Sequence, residues 1–429
     1  IWRMATYEQS STTTQKIGWA AVKDARRSSK QINFNPSSAT VPGGYGAVDT
    51  NKFSNLDSFD EEAGPRSTFS ALKNVVFGKF FPNCLLVFMP FGYLSYAYQW
   101  GDNYVFWFNF LAMVPLASIL GDFTEELAMH TNQTIGGLIN ATFGNAVEVV
   151  VAVQGMKAGQ IRVVQASMLG SVFSNLLLVL GCCFFFGGLK FKEQTFNATS
   201  ASANISLLTL SSLALVLPTP FAHYYEIENE DVLMISRIAA CFLLAMYIQL
   251  LFFQLFTHSY LVEDEDDEEE PEMSFWAALG GLCFVTLLVS VYSEWLVSSI
   301  DGFTEASGIS KTFVGLIILP VVGNAVEHIT AVTVAMKNKM DLSMGVAVGS
   351  SAQVSLFVVP FIIIFGWVAD IDMTLNFPPF EIMLYILAII IVTNCISNGK
   401  SNWLEGSLLI TTYIMIAVGF WFEKVVEFR

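Results

Sequence analysis

Charged residues are scarce in this chain of 429 residues. Only 14% are Asp, Glu, Lys or Arg, against roughly 25% in soluble globular proteins. Hydrophobic residues make up 54% of the chain, and the mean hydropathy is +0.55. The shortage of charge excludes an ordinary soluble domain and predicts an integral membrane protein whose main partner is the lipid bilayer.

Basic and reactive side chains are also few. The 21 Lys and Arg are outnumbered by 37 Asp and Glu, which argues against binding to nucleic acid phosphates. The six cysteines have no paired spacing and are expected to be small buried hydrophobes. Neither HExxH nor GxSxG occurs. We therefore expect a protein that is not an enzyme and needs no cofactor.

Long apolar runs recur from residue 75 onwards. Each has about 20 residues, the length that crosses roughly 30 Å of hydrocarbon as a helix. Eleven runs occur, at 75–98, 104–127, 134–156, 163–187, 201–221, 232–257, 274–299, 311–336, 342–368, 378–397 and 403–422. The predicted fold is all-α and polytopic, with eleven transmembrane helices behind a polar, flexible tail over residues 1–73.

Lysine and arginine are unevenly distributed between the two predicted sides. Fifteen lie on the side of the tail and five on the other, and Arg237 alone lies inside a span. The positive-inside rule therefore predicts a cytosolic tail and a C-terminus on the opposite, lumenal side. The linker over residues 258–273 is then cytosolic too. It contains an acidic run without a base: Glu263, Asp264, Glu265, Asp266, Asp267, Glu268, Glu269 and Glu270.

The two halves of the chain are related by an internal repeat. An offset of 179 residues places the sequence GNAVE at 144–148 on GNAVE at 323–327. Each half, over 104–257 and 274–424, would contain five spans, and the span at 75–98 is additional. Because five is odd, the copies enter the membrane from opposite faces. Inverted repeats are typical of secondary transporters, which bind their substrate near the membrane midplane.

Each repeat motif ends in a glutamate within an apolar span. A bare carboxylate there costs at least roughly 2.5 kcal/mol, so Glu148 and Glu327 need neighbours or a ligand. Asn145 and Asn324 precede them by three residues and are expected on the same helix face. The glycines permit local unwinding, and Pro320 lacks a backbone donor. A protonated or hydroxyl-bonded carboxylate is the structural alternative.

The next span of each half contributes a second polar face. Its members are Ser167, Ser171, Ser174 and Asn175 in the first half and Ser350, Ser351 and Gln353 in the second. Small residues of this kind also serve simple helix packing. Carboxylate, amide and hydroxyl oxygens without a Cys or His cluster suit calcium, which takes six to eight oxygen ligands, better than magnesium.

The charges of the two glutamates suggest a mechanism. Two ionised carboxylates in a medium of low dielectric constant are unfavourable, and either one divalent cation or two protons would neutralise them. This predicts proton/divalent antiport. Further proton carriers are predicted at Asp122, Glu126, Glu294, Asp301 and Glu305, although carboxylates at a wet helix end look the same. His328 is expected either to tune the site or simply to be hydrogen-bonded.

Four segments resemble the cation/proton exchanger family of the calcium/cation antiporter superfamily, in particular its vacuolar calcium/proton exchangers. They are NATFGNAVE at 140–148, VVQASMLGSVFSN at 163–175, VVGNAVEH at 321–328 and GVAVGSSAQVSLFV at 345–358. The resemblance implies that Glu148 and Glu327 bind cation and protons and that His328 affects selectivity. It also implies a site lining of Asn145, Asn324, Ser171, Ser350 and Gln353.

The resemblance further implies an exchange of cytosolic calcium for lumenal protons across the membrane of a vacuole or another acidic organelle. The acidic run between the halves would then be a regulatory helix, whereas its own composition indicates no more than a solvated linker. A sodium- or manganese-coupled exchanger is the main alternative, and a cation channel is a weaker one. Homo-oligomerisation is left open.

Overall fold

The computed structural model of the chain describes residues 68–78, 80–225, 228–258 and 271–423. The predicted tail up to residue 67 and the acidic residues Glu263–Glu270 lie outside the described residues. The described part is mostly helical. Its one strand pair is antiparallel and joins β1 (Gln194–Thr195) to β2 (Lys400–Ser401).

The helices are numbered along the described part of the chain, and a segment that continues through a π-helical turn keeps one number. They are α1 (Thr68–Phe77), α2 (Cys84–Ala97), α3 (Asp102–Met129), α4 (Gln133–Phe143), α5 (Ala146–Lys157), α6 (Ile161–Lys190), α7 (Ala198–Tyr224), α8 (Asn229–Thr257), α9 (Phe275–Ser298), α10 (Ile300–Ser307), α11 (Lys311–Gly323), α12 (Ala325–Ala335), α13 (Met340–Val368), α14 (Pro379–Ile396) and α15 (Trp403–Trp421).

The chain is an integral membrane protein, as its composition predicted. In the described residues eight helices are long and apolar enough to span a membrane, or up to ten if the bent pairs α4–α5 and α11–α12 each form one span. The shorter apolar helix α2 is additional. Each of the eleven predicted runs overlaps one of these segments, whereas the number of crossings stays a prediction.

The first predicted span differs from the observed helices in two respects. Helix α1 begins at Thr68, inside the segment predicted as a flexible tail, because Ala71 is fully buried against the bundle. The helical path is then interrupted at Gly78, because glycine disfavours a continuous helix, and a short helix over Phe80–Asn83 leads into α2.

Three of the predicted proton carriers, Glu294, Asp301 and Glu305, lie on two helices. Helix α9 ends at Ser298 and α10 begins at Ile300, so Glu294 is separated from Asp301 and Glu305 by a helix boundary. Helix α10 packs against α3, where Phe303 stacks on Phe106 with ring centroids 4.0 Å apart.

Two hydrophobic clusters form the interior. The larger cluster joins residues of α6, α7, α8, α13, α14 and α15, and the smaller one joins residues of α1, α3 and α9 with parts of α5 and α11. Helix α3 packs extensively along α9, and the second half of α6 packs along α15. The bent helices α4–α5 and α11–α12 contribute residues to both clusters and lie between them.

Helices α6 and α11 approach each other closely at two glycines. A Cβ on Gly315 would stand 2.7 Å from the carbonyl oxygen of Val163, and a Cβ on Gly170 would overlap the carbonyl oxygen of Leu316. Both distances are too short for any side chain, so glycine is required at this crossing. The crossing holds the second polar face of α6 beside the helix break that follows α11.

Candidate cation site between the two halves

Two helix breaks position the glutamates. The axes of α4 and α5 differ by 41°, and those of α11 and α12 differ by 59°. Asn145 and Asn324 occupy the breaks, with φ of −102° at both residues, and Glu148 and Glu327 lie in the first turns of α5 and α12. A helix N-terminus has a partial positive charge, which favours a carboxylate in this position.

The two repeat motifs meet across the interface between the halves. A Cβ on Gly323 would stand 3.2 Å from Oε1 of Glu148. Glu148 and Glu327 are close enough for a charge–charge interaction. The two carboxylates therefore lie in the same region of the protein, as the binding of one cation by both of them requires.

A cavity of about 40 Å³ lies beside Glu148. Ser167 and Ser171 of α6 and Pro320 and Gly323 of α11 contribute to its wall, and most of the remaining lining is aliphatic. A cavity holds a water molecule from about 10–15 Å³ upwards. This volume is therefore sufficient for a small ion or one to three water molecules.

The carboxylates are incompletely satisfied by the protein. Oε2 of Glu148 is buried and has no hydrogen-bond partner among the described residues. Oε2 of Glu327 accepts a long hydrogen bond of 3.4 Å from the hydroxyl of Ser350. A buried acceptor without a donor is unfavourable, so both side chains retain capacity for a proton or a cation.

Amide side chains connect the two halves around the glutamates. Nδ2 of Asn145 donates to Oε1 of Gln353 at 2.8 Å, and Nδ2 of Asn324 donates to the hydroxyl of Ser171 at 2.9 Å. Each repeat asparagine thus bonds to a residue of the opposite half. Because the amide nitrogens are engaged as donors, their oxygens remain available as ligands.

His328 is hydrogen-bonded, as the simpler of the two sequence hypotheses expected. Its Nε2 lies 3.2 Å from the hydroxyl of Ser174, which is fully buried in α6. The contact ties the residue after Glu327 to the opposite half. The equivalent position in the first half is Val149, so this contact is asymmetric between the repeats.

Of the predicted proton carriers, Glu148 lines this cavity, whereas Glu327 and the remaining acids do not. Glu126 is buried near the end of α3 and accepts a 2.6 Å hydrogen bond from the backbone N–H of Met273. Asp122 is half-buried one turn earlier on α3, and Glu294 and Glu305 are exposed. The structure therefore does not bring these four acids together with Glu148.

Asp301 belongs to a separate polar group. Its carboxylate pairs with Lys311 and accepts a 2.8 Å hydrogen bond from Nε2 of Gln160, whose Oε1 in turn accepts from Nζ of Lys311 at 3.3 Å. The hydrogen bond from Lys311 holds the pKa of Asp301 below its usual value. This carboxylate is therefore harder to protonate than an ordinary aspartate.

Two contacts of the interior were not predicted from the sequence, although Asn175 itself was assigned to the polar face of α6. Asn175 is fully buried and donates to the hydroxyl of Ser350 at 3.2 Å, which orients that hydroxyl towards Glu327. Arg162 pairs with Glu381, whose side chain is fully buried. The spacing of Asn175 from the serines of α6 was a usable signal, whereas nothing in the sequence connects Arg162 with a residue 219 positions away.

Comparison with known proteins places the chain in a class of membrane ion exchangers. Residues 104–256 and 277–422 match the family described as sodium/calcium exchanger protein. The chain belongs to this family, and the resemblance predicted from the motifs is confirmed.

Named relatives and a solved structure extend this match. The chain is 44% identical to a Ca(2+)/H(+) antiporter of Aphanothece halophytica over 80% of its length and 96% of the relative. It is 41% identical to a vacuolar calcium ion transporter of Schizosaccharomyces pombe, over 82% and 86% of the two chains. The structure of native YfkE superposes with a TM-score of 0.69 at 33% identity, covering 79% of this chain and 100% of that one.

Proposed function

We propose that the chain is a secondary active antiporter that exchanges cytosolic calcium for lumenal protons by alternating access. The observation that carries the proposal is the position of Glu148 against Gly323, within range of the charge on Glu327. The names of the relatives support the choice of loads, since they include a Ca(2+)/H(+) antiporter and a vacuolar calcium ion transporter.

The proposed cation site uses oxygen ligands from both halves. Its members are Glu148, Glu327, Asn145, Asn324, Ser171, Ser350 and Gln353. Among the described residues no group of three or more His, Cys, Asp or Glu side chains is positioned to hold a metal ion. Neutral amide and hydroxyl oxygens must therefore complete the coordination, as is usual for calcium.

Charge balance then couples the transport of calcium to the transport of protons. The pair carries two negative charges when both carboxylates are ionised, and either one calcium ion or two protons neutralise it. Moving an uncompensated charge through the hydrophobic interior is strongly unfavourable. The site therefore switches between the two sides of the membrane only when it holds either calcium or protons. If Glu148 and Glu327 are the two proton carriers, two protons exchange for one calcium ion and the cycle is electroneutral.

The packing of the two halves is asymmetric, which supports alternating access between inverted five-helix repeats. Gly170 of α6 packs tightly against α11, yet its repeat equivalent Gly349 has open space around its Cβ position within the described residues. The side on which α6 and α11 begin is therefore closed, and the side on which α4 and α13 begin is looser. Under the predicted topology the loose side is cytosolic.

Location and regulation follow from the same relatives. We place the protein in the membrane of a vacuole or another acidic organelle, where a proton gradient is available to drive uptake of calcium. The tail and the acidic linker would face the cytosol and the C-terminus the lumen. The run Glu263–Glu270 is proposed as a regulatory segment that attracts calcium. Homo-oligomerisation and manganese transport can be measured on the purified protein.

The test is calcium uptake by the purified full chain in vesicles with an acidic interior. Uptake should require the pH gradient and stop when a protonophore removes it. Glu148→Gln and Glu327→Gln should each abolish uptake, because the amide neither loads a proton nor neutralises the cation. Glu230→Gln, on an exposed residue of α8, is the matched control and should transport normally.

Three results would oppose the proposal in different ways. Calcium uptake that persists without a pH gradient, accompanied by current, would indicate a channel. Uptake driven by a sodium gradient would indicate a sodium-coupled exchanger. Calcium uptake retained in Glu148→Gln or Glu327→Gln would refute the assignment of these glutamates to the cation site. Competition by manganese at a concentration equal to that of calcium would instead add manganese to the transported cations.

A further inference from the structure

Arg237 lies inside a span and has no counter-ion among the described residues. It lies on α8, and its Nε is buried without a hydrogen-bond partner in that part of the protein. Arg162, the other arginine within a spanning helix, is neutralised by Glu381. A cation in this environment is unfavourable unless an anion is supplied, and none of the described side chains supplies one to Arg237.

The guanidinium of Arg237 is held at the edge of an apolar groove. Its Cζ lies 5.2 Å from the ring centroid of Trp367, which fixes the plane of the group by a cation–π contact. The groove has a volume of about 300 Å³ and is lined by Met234, Arg237, Ile238, Cys241, Phe242, Ala245 and Trp367. Apart from Arg237 and the thiol, the lining consists of hydrocarbon and the indole ring.

The groove faces the lipid and not the interior of the bundle. Ile238 is 50% exposed and Phe242 is 67% exposed. On a membrane-spanning helix, large exposed hydrophobic side chains lie against acyl chains. The occupant of the groove is therefore expected to come from the bilayer.

Arg237 lies near enough to the start of α8 for its long side chain to reach the lipid headgroups. It lies eight residues after Asn229, the start of α8, which is about 12 Å along a helix axis. Helical side chains lean towards the N-terminus of their helix, so the guanidinium lies closer to the membrane surface than its own Cα. Trp367 is the penultimate residue of α13, in the position of an interfacial aromatic belt.

We propose that Arg237 binds the phosphate of an anionic phospholipid, one of whose acyl chains occupies the groove beside Phe242. The guanidinium carries planar N–H donors that match phosphate oxygens, and the anion supplies the missing negative charge. The lipid belongs to the leaflet on the side where α8 begins, which is the lumenal leaflet under the predicted topology.

The experiment measures lipid retention by the full chain. Protein is purified from phosphatidylcholine nanodiscs that contain a small fraction of phosphatidylglycerol, and native mass spectrometry counts the bound lipids. Wild type should retain phosphatidylglycerol in preference to phosphatidylcholine. Arg237→Met should bind it about tenfold more weakly, as expected for the loss of a charge-assisted hydrogen bond.

Two further variants make the result specific. Arg237→Lys keeps the charge without the planar donors and should give intermediate retention. Ile238→Met introduces the same side chain at the neighbouring lipid-facing position and should retain phosphatidylglycerol like wild type. If Arg237→Met fails to fold, Trp367→Leu provides the same test, because the arginine stays but loses its orientation.

Several outcomes would overturn the proposal. One is equal retention of phosphatidylglycerol by wild type, Arg237→Met and Trp367→Leu. A second is equal retention of phosphatidylcholine and phosphatidylglycerol by wild type. A third is an association between copies of the chain that depends on Arg237 and contains no lipid, which would assign the groove to a protein interface.

Discussion

Glu148 lies against the backbone of Gly323, and a Cβ atom at that glycine would stand 3.2 Å from Oε1 of Glu148. The two residues belong to different halves of the chain, in the equivalent motifs at 144–148 and 323–327. The glycine of one motif thus makes room for the glutamate of the other. The relationship is not reciprocal, because a Cβ on Gly144 would meet the carbonyl oxygen of Asn140 at 2.6 Å.

Replacing Gly323 by alanine should weaken calcium transport without unfolding the protein. A contact of 3.2 Å requires a shift of the Glu148 carboxylate by a few tenths of an ångström. We expect a calcium concentration for half-maximal uptake that is roughly two- to tenfold higher, equivalent to about 0.4–1.4 kcal/mol. Uptake into acidic vesicles at varied calcium concentration provides the measurement.

The control for this variant is Gly419→Ala. A Cβ on Gly419, in α15, meets no described atom within 4 Å. Its half-maximal calcium concentration should equal that of wild type. If Gly323→Ala also behaved like wild type, the proximity of Glu148 to this glycine would have no role in binding.

Gly349→Ala should impair turnover although it fits the structure described here. Its Cβ would meet open space among the described residues, whereas the repeat equivalent Gly170 is tightly packed on Leu316. If the halves exchange roles during transport, Gly349 must pack closely in the opposite state. We expect unchanged thermal stability and calcium binding with a maximal uptake rate reduced several-fold, and a wild-type rate would argue against a symmetric exchange of packing.

Glu381→Gln should destabilise the fold because it removes the counter-ion of Arg162. Glu381 is fully buried and the Arg162 side chain is 29% exposed, so the arginine would retain a largely desolvated charge. Removing one partner of a buried pair costs roughly 3–5 kcal/mol. The thermal unfolding midpoint of the purified variant, measured in detergent, should be clearly lower than that of wild type.

A surface pair supplies the comparison for that variant. Glu193 and Lys400 are paired at 2.5 Å, and their side chains are 54% and 53% exposed. Glu193→Gln should therefore change stability by no more than about 0.5 kcal/mol. Equal effects of the two substitutions would show that burial of the Arg162–Glu381 pair does not determine its contribution.

Much of the fold was predictable from the sequence because membrane helices are defined by length and hydropathy alone. The helix breaks were predictable as well, since Gly-Asn pairs recur at Asn145 and Asn324 within apolar runs. The repeat then made it possible to identify both halves of the candidate site. Each of these signals is local or periodic, and sequence reasoning detects such signals directly.

Other features depended on tertiary contacts and were missed or misjudged. The stacking of Phe303 on Phe106 joins residues far apart in the chain, and no local pattern reveals it. Glu126, a predicted proton carrier, accepts a hydrogen bond from the backbone N–H of Met273, which the sequence did not predict. An acid in a span looks the same in the sequence whether it binds an ion, a backbone N–H or an arginine.

The most direct test of the central claim is the number of protons released when calcium binds to the purified protein. Calorimetry of calcium binding in buffers with different ionisation enthalpies gives this number. We predict release of protons on binding by wild type at acidic pH, and less release with much weaker binding in Glu148→Gln and Glu327→Gln. Calcium binding with no release of protons, or with the same release in both variants, would contradict a site at which cation and protons share these two carboxylates.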